Sequence, residues 1–218
     1  MDISKRIGTF FSRFPPSGFS KGRIIVTDSG VTNQVYYVES GFVIEYHISQ
    51  SGELLIAHLY QPGSFFPLGT FCDIPFESGY FESISPTVIR TAPLKSFTDF
   101  FLSDRELLVD FTNHLSHNIY HLTRRLGMIA SGSAYQKTAS ALVYLAQNLG
   151  RRIGGNGTVI IDYDLTHKEI AAWVGSARET TSVQMKLLQK KGLVSYNRRQ
   201  IVINDLPRLI SETGQEFA

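Results

Sequence analysis

The feature that most constrains this chain is a change in hydrophobic period near Asp104. From Lys21 to about Lys95 the apolar residues fall in short β-branched and aromatic runs: Arg23 to Val26, Gln34 to Val38, Phe42 to His47, Glu53 to Leu59 and Thr87 to Arg90. Such runs are strand-like. Glycines 30, 41, 52 and 63 punctuate them at a constant spacing of eleven, a strand plus a tight turn repeated. The expected product is an antiparallel β-barrel or roll. His47 and His58 lie on these strands and are more simply read as half-exposed strand residues than as ligands.

From Asp104 onward the period is helical. Leu108, Leu115, Leu122 and Ile129 recur every seven residues, with Thr112, Ile119 and Leu126 between them, a seam of about three heptads. Such a stripe can lie against the barrel or against a second copy of the helix. The two are compatible, and a homodimer is expected, with Leu108, Leu115, Ile119, Leu122, Leu126 and Ile129 at its interface.

The helical pattern ends in Ser131-Gly132-Ser133, and the charge changes there. Residues 1–132 hold ten Lys or Arg against twelve Asp or Glu, whereas residues 133–218 hold eleven against seven. The basic surplus lies in the C-terminal part, as for a part that meets a polyanion. Ser133 is placed to cap a helix from Ala134 to Leu149, ended by Gly150. A basic, glycine-rich loop is expected from Arg151 to Gly157, then a short strand from Val159 to Asp162.

Leu165 to Lys190 is the most informative segment. Thr166 and Glu169 form a capping box, so a helix begins at His167 and runs through Ile170, Ala171 and Val174 until Gly175. Gly175 permits a left-handed turn, and Ser176 with Glu179 three residues on reads as a second box. A helix-turn-helix follows. Its second helix is expected to bury Thr181, Met185 and Leu188 and to turn Arg178, Glu179, Ser182 and Lys186 outward, the set that can enter a major groove. Next, Gly192 to Tyr196 and Gln200 to Ile203 flank Asn197-Arg198-Arg199, a β-hairpin with a cationic tip suited to phosphates.

Over nearly its whole length the chain resembles the Crp/Fnr superfamily of bacterial transcription regulators. The resemblance is carried by Phe19-Ser-Lys-Gly22, Tyr37-Val-Glu-Ser-Gly41, Pro62-Gly63, Leu165-Thr-x-x-Glu-Ile-Ala, Arg178-Glu-Thr-Thr-Ser and Lys-Gly-Leu-Val194. It implies an α+β architecture: an N-terminal antiparallel β-roll of the cyclic-nucleotide-binding type (a double-stranded β-helix, residues 1–103), a long dimerisation helix (104–132) and a C-terminal winged helix-turn-helix (133–218). It further implies a dimeric, sequence-specific DNA-binding regulator. By position, Arg178 and Glu179 match the base-reading pair. An arginine bidentate to guanine and a glutamate accepting from cytosine suit a G·C pair. Thr166, Ser176 and Thr180 match phosphate-holding positions, and His167, Lys168, Ser182, Lys186, Asn197, Arg198 and Arg199 complete the expected DNA surface. Val183 stands where many relatives have a second reading arginine.

The sensory half departs from several relatives. Cyclic-AMP-binding members carry a Gly-Glu for the ribose and an Arg-Ser for the phosphate; this chain has Gly63-Ser-Phe-Phe-Pro-Leu-Gly69 and Gly79-Tyr-Phe-Glu-Ser83, with Glu82 set to repel a phosphate. Cyclic AMP in the usual mode is not expected. One cysteine, Cys72, excludes an all-cysteine iron–sulfur cluster or zinc site from one chain, and a disulfide framework with them. Cys72 also lacks the histidine two residues later that the haem-binding pattern has, and reads as a small core residue. His114, His117 and His121 fall at i, i+3 and i+7, but no carboxylate is interleaved, and a solvated stripe is the simpler account. Neither metal nor cofactor is assigned. By analogy with 2-oxoglutarate-sensing relatives, a small organic acid would meet backbone amides around Phe66, Leu68 and Gly69 with Thr123, Arg124 or Arg125.

Nothing points to an enzyme: Gly-x-Ser-x-Gly, Walker, dinucleotide and His-Glu-x-x-His signatures are absent. An effector-binding module whose winged helix meets protein, and a regulator competent for DNA without any ligand, remain as alternatives. The polar, basic face without an aromatic anchor disfavours protein contact. RNA polymerase is a further partner of activating relatives, for which the loop from Arg151 to Thr158 corresponds. No apolar run reaches eighteen residues and the N-terminus has no apolar signal core, so a cytoplasmic location is expected.

Overall fold

The computed structural model describes residues 3–27, 33–50, 52–67, 79–153 and 157–214. The chain divides into two compact units, Met1–His121 and Leu122–Ala218. Leu68, Gly69, Cys72, Gly30 and residues 154–156 lie outside the described residues, as do the side chains of His114, His117, His121, Arg124 and Ile129.

The first unit opens with α1 (Ile3–Phe11), β1 (Pro16–Phe19), β2 (Ile24–Thr27), β3 (Gln34–Ser40), β4 (Val43–Ile48), β5 (Leu54–Tyr60), β6 (Phe65–Phe66), β7 (Gly79–Ser83) and β8 (Thr87–Pro93). These strands form two antiparallel sheets, ordered β1-β8-β3-β6 and β2-β7-β4-β5. Adjacent residues on a strand face opposite ways, and Phe65 and Phe66 use both faces. Phe66 joins Val26, Val38, Val43, Tyr60, Phe81 and Ile89, contributed by both sheets, and stacks on Phe81 with ring centroids 4.7 Å apart. Phe65 joins Ile7, Phe10 and Phe11 of α1 and Phe97 and Phe101 of α2 (Leu94–Leu102).

Gly41 makes the β3–β4 turn possible. Its φ is 82°, and a Cβ there would lie 2.4 Å from the Pro86 carbonyl oxygen. Only glycine meets both conditions.

The long helix α3 spans Arg105–Ser131. Asp104 starts it, its Oδ1 accepting from the N–H groups of Glu106 and Leu107 at 2.9 and 3.2 Å, while its Oδ2 pairs with Arg6 of α1. The heptad stripe has two fates. Leu108 packs, half-buried, against the Phe65 cluster together with Phe111, and Leu115 is half-buried. Ile119, Leu122 and Leu126 are 64%, 51% and 58% exposed.

The second unit holds α4 (Ala134–Leu149), β9 (Gly150–Ile153), β10 (Thr158–Ile161), α5 (His167–Val174), α6 (Arg178–Lys190), β11 (Val194–Asn197), β12 (Gln200–Ile203) and α7 (Leu206–Ser211). Ser133 caps α4 through a full box with Gln136. Leu142, Leu145, Ile161, Ile170 and Met185 are fully buried between α4, α5, α6 and the sheet β11-β12-β10-β9.

One sequence expectation fails here. The first half of the loop expected from Arg151 to Gly157 is strand β9, in which Arg151 and Arg152 pair with Ile160 and Val159 of β10. It is an edge strand with exposed side chains, where arginines are tolerated and guard against further pairing. Its charge made it read as a loop.

Candidate nucleic-acid interface

The interface is built from the start of α5, the exposed face of α6 and the β11–β12 hairpin. At the start of α5, the Thr166 hydroxyl accepts from the Glu169 N–H at 3.2 Å, and Glu169 Oε2 accepts from the Thr166 N–H at 2.7 Å. Tyr163 donates its hydroxyl to the other Glu169 oxygen at 2.7 Å. A cap of this kind stabilises a helix by about 1 kcal/mol. At the far end Gly175, left-handed at φ 61°, turns the chain, and its N–H and that of Ser176 both return to the Ala171 carbonyl.

That last bond corrects the expected second capping box. Ser176 closes α5 with its N–H, and the chain enters α6 one residue later, so the N-cap is Ala177, which offers no side-chain oxygen. Glu179 is then the second residue of the helix, too early to reciprocate. The leading N–H groups of α6 are left without a side-chain cap, and helix N-termini of this kind suit anions.

The faces of α6 divide as expected. Thr181, Met185 and Leu188 are fully buried, while Arg178, Glu179 and Lys186 are exposed and Thr180 half-exposed. Val183 is 54% exposed and Leu187 44%, so the outward face mixes charge with apolar groups. Ser182 is half-buried and engaged: its Oγ lies 2.8 Å from His167 Nδ1. The other ring nitrogen, Nε2, lies 2.8 Å from the Tyr196 hydroxyl on β11. Burial first, then the charges of Arg178 and Lys186, hold the His167 pKa below the ordinary imidazole value.

Asn197 pairs with Gln200, which leaves a two-residue turn, Arg198-Arg199. Arg198 has φ 57°, the left-handed conformation such hairpins require. Asn197, Arg198 and Arg199 are exposed, as are Thr166 and Lys168. Sequence reasoning missed Tyr163 and Tyr196; no local pattern marks either, because their partners are set by packing.

Of the residues expected at an effector, Phe66 is wholly buried in the inner cluster of the roll and Thr123 is exposed on α3. A cavity of about 130 Å³ opens elsewhere in the first unit, beside α1 and the Pro62-Gly63 turn, with His58, Gln61, Ser64, Phe111 and Asn118 in its wall. Among the described residues, no helix is long and apolar enough to cross a membrane.

Residues 136–212 match the family model of the Crp-like helix-turn-helix domain. The chain is 30% identical over 203 residues to the transcriptional regulator SdrP of Thermus thermophilus, covering 90% of this chain and 95% of that one. The chain belongs to the Crp/Fnr family. It is also 24% identical over 196 residues to the anaerobic regulatory protein of Pasteurella multocida, covering 89% of this chain and 70% of that one. Among solved structures, a CRP/FNR-family transcriptional regulator from Thermus thermophilus superposes with a TM-score of 0.75 at 25% identity, over 92% of this chain and 99% of that one. Membership fixes the overall function: a Crp/Fnr-type transcription regulator with a DNA-binding helix-turn-helix. These relatives are regulators, and proteins of this kind bind DNA and generally act as dimers.

Proposed function

We propose that the protein binds a palindromic operator as a homodimer. One Arg178–Glu179 pair from each copy would read a G·C pair in a half-site, the half-sites lying about 34 Å apart. The observation that carries this reading is the division of α6, with Thr181, Met185 and Leu188 buried behind exposed Arg178, Glu179 and Lys186. Thr166, Lys168, Ser176, Thr180, Asn197, Arg198 and Arg199 would hold phosphates and set the register. The exposed stripe Ile119, Leu122 and Leu126, with Leu108, Leu115 and Ile129 in the same heptad, would be the dimer seam.

The β-roll would act by population shift, an effector favouring the DNA-competent dimer. That effector would not be cyclic AMP held in the usual way, because Gly63-Ser64 and Glu82-Ser83 stand where cyclic-AMP-binding relatives carry Gly-Glu and Arg-Ser.

Selection of duplexes from a random pool tests the reading. The protein should enrich an inverted repeat, and a strictly monomeric protein or one that enriches nothing would overturn it. Repeating the selection with and without a metabolite extract distinguishes an effector-dependent regulator from one competent without ligand.

A further inference from the structure

His167 is the first residue of α5 and belongs to the DNA surface expected from the sequence. Its ring is already committed on both sides. Nδ1 is 2.8 Å from Ser182 Oγ on α6, fifteen residues away, and Nε2 is 2.8 Å from the Tyr196 hydroxyl on β11, twenty-nine residues away. One imidazole therefore spans the three elements of the interface: the first helix, the groove-facing helix and the hairpin.

We propose that His167 is a positioning residue for DNA reading, which ties α6 at Ser182 to the wing at Tyr196 and sets what the Ser182 hydroxyl can offer to a base. The proposal rests on the operator-reading proposal and deepens it. A neutral imidazole has one donor and one acceptor nitrogen. A phenol is the stronger donor of the two hydroxyls, so Tyr196 donates to Nε2, and Nδ1–H donates to Ser182 Oγ. The serine proton is then left to point outward, toward an acceptor such as guanine O6 or N7, adenine N7 or thymine O4.

The groups around the ring agree with this. Burial first, and then Arg178 and Lys186 on α6, disfavour a charged imidazole. A neutral His167 adds no cation to the phosphate contacts, so its effect falls on specificity rather than on general affinity. It also explains the half-burial of Ser182, a residue whose place on the helix sequence is outward.

The test uses the full chain and two duplexes: one selected by the unaltered protein from a random pool, and one of random sequence, titrated over a range of salt. His167→Ala is expected to lower the ratio of selected to random affinity by about tenfold, leaving the random-duplex affinity and its salt slope unchanged. His167→Asn, whose amide reaches the place of Nδ1, and His167→Gln, whose amide reaches that of Nε2, should each restore part of the ratio. If the affinity for both duplexes falls by one factor and the salt slope drops by about one ion, His167 is a direct phosphate contact and the proposal is overturned. An unchanged ratio overturns it as well. Should the alanine variant not fold, Tyr196→Phe, which removes one oxygen, decides: a ratio lowered about threefold supports the brace and an unchanged ratio refutes it. If the unaltered protein enriches no duplex, the operator reading falls and this proposal with it; enrichment followed by an unchanged ratio removes this proposal alone.

Discussion

The Lys191 ammonium lies 2.6 Å from Glu212 Oε2, joining the C-cap residue of α6 to the C-cap residue of α7. The same carboxylate oxygen accepts from the Tyr135 hydroxyl of α4 at 2.9 Å, and the ammonium sits 4.6 Å from the centre of the Tyr135 ring. Three helices of the winged-helix unit thus meet in one polar cluster at the end of α6.

That cluster predicts an acid limb. The Lys191 ammonium beside it, chiefly, lowers the Glu212 pKa, and Glu212 in turn raises that of Lys191. A carboxylate lowered in the folded state contributes stability that is present above its ordinary value and is lost as pH falls through the folded one. Glu212→Gln should therefore lower the melting temperature at pH 7, and the difference from the native chain should shrink as pH falls and the native carboxyl takes up its proton. Both Glu212 and Lys191 sit at or near the surface, so the effect should shrink in high salt.

Two glycines with nearly equal φ separate backbone strain from steric clash. Gly41 has φ 82° with the Pro86 carbonyl in the way, and Gly52 has φ 81° with open space around it. Gly52→Ala should cost about 1 kcal/mol, the strain alone. Gly41→Ala should cost at least about 2 kcal/mol more in urea unfolding, because the backbone at Pro86 and Thr87, where β8 begins, must move.

The exposed stripe on α3 predicts a separable defect. Leu122→Glu with Leu126→Glu should leave the circular dichroism of the folded chain unchanged, since both leucines are more than half exposed. The pair should convert the dimer to monomer in sedimentation and abolish operator binding at concentrations where the native chain binds.

At the interface, Arg178→Ala should cost about 1–3 kcal/mol on a selected duplex and relax preference at one base pair of each half-site, read by repeating the selection. Arg199→Ala should weaken binding to every duplex alike and lower the salt slope by about one ion. Arg198→Gly should do the same to binding while raising stability by about 1 kcal/mol, because glycine accepts without strain the φ of 57° that arginine adopts there.

Much of this protein is readable as local pattern. Five strands of the roll (β2, β3, β4, β5 and β8), the capped starts at Ser133 and Thr166, the left-handed Gly175 and the buried triplet Thr181, Met185 and Leu188 follow from alternation, helical period and capping chemistry, whereas β1, β6 and β7 are not among the runs read from the sequence. Helix α1 also carries a local signal that sequence reasoning passed over, with Ile3, Ile7, Phe10 and Phe11 on one helical face. Strand β9 was not legible, because two arginines at a sheet edge have the composition of a loop and only pairing with β10 gives them a strand.

The same boundary runs through the interface. Chain order alone dictates that a helix, a glycine turn and a second helix occur between Thr166 and Lys190, since each signal acts within a few residues. Whether Ser176 caps α6 or closes α5 depends on where the Ala171 carbonyl lies once α5 is seated. That His167 meets both Ser182 and Tyr196 depends on how α5, α6 and the hairpin pack around Met185, Leu188 and Ile201. Hydrogen bonds between residues so far apart along the chain are made only after burial of the apolar faces has brought the backbones together, and no short-range propensity encodes them.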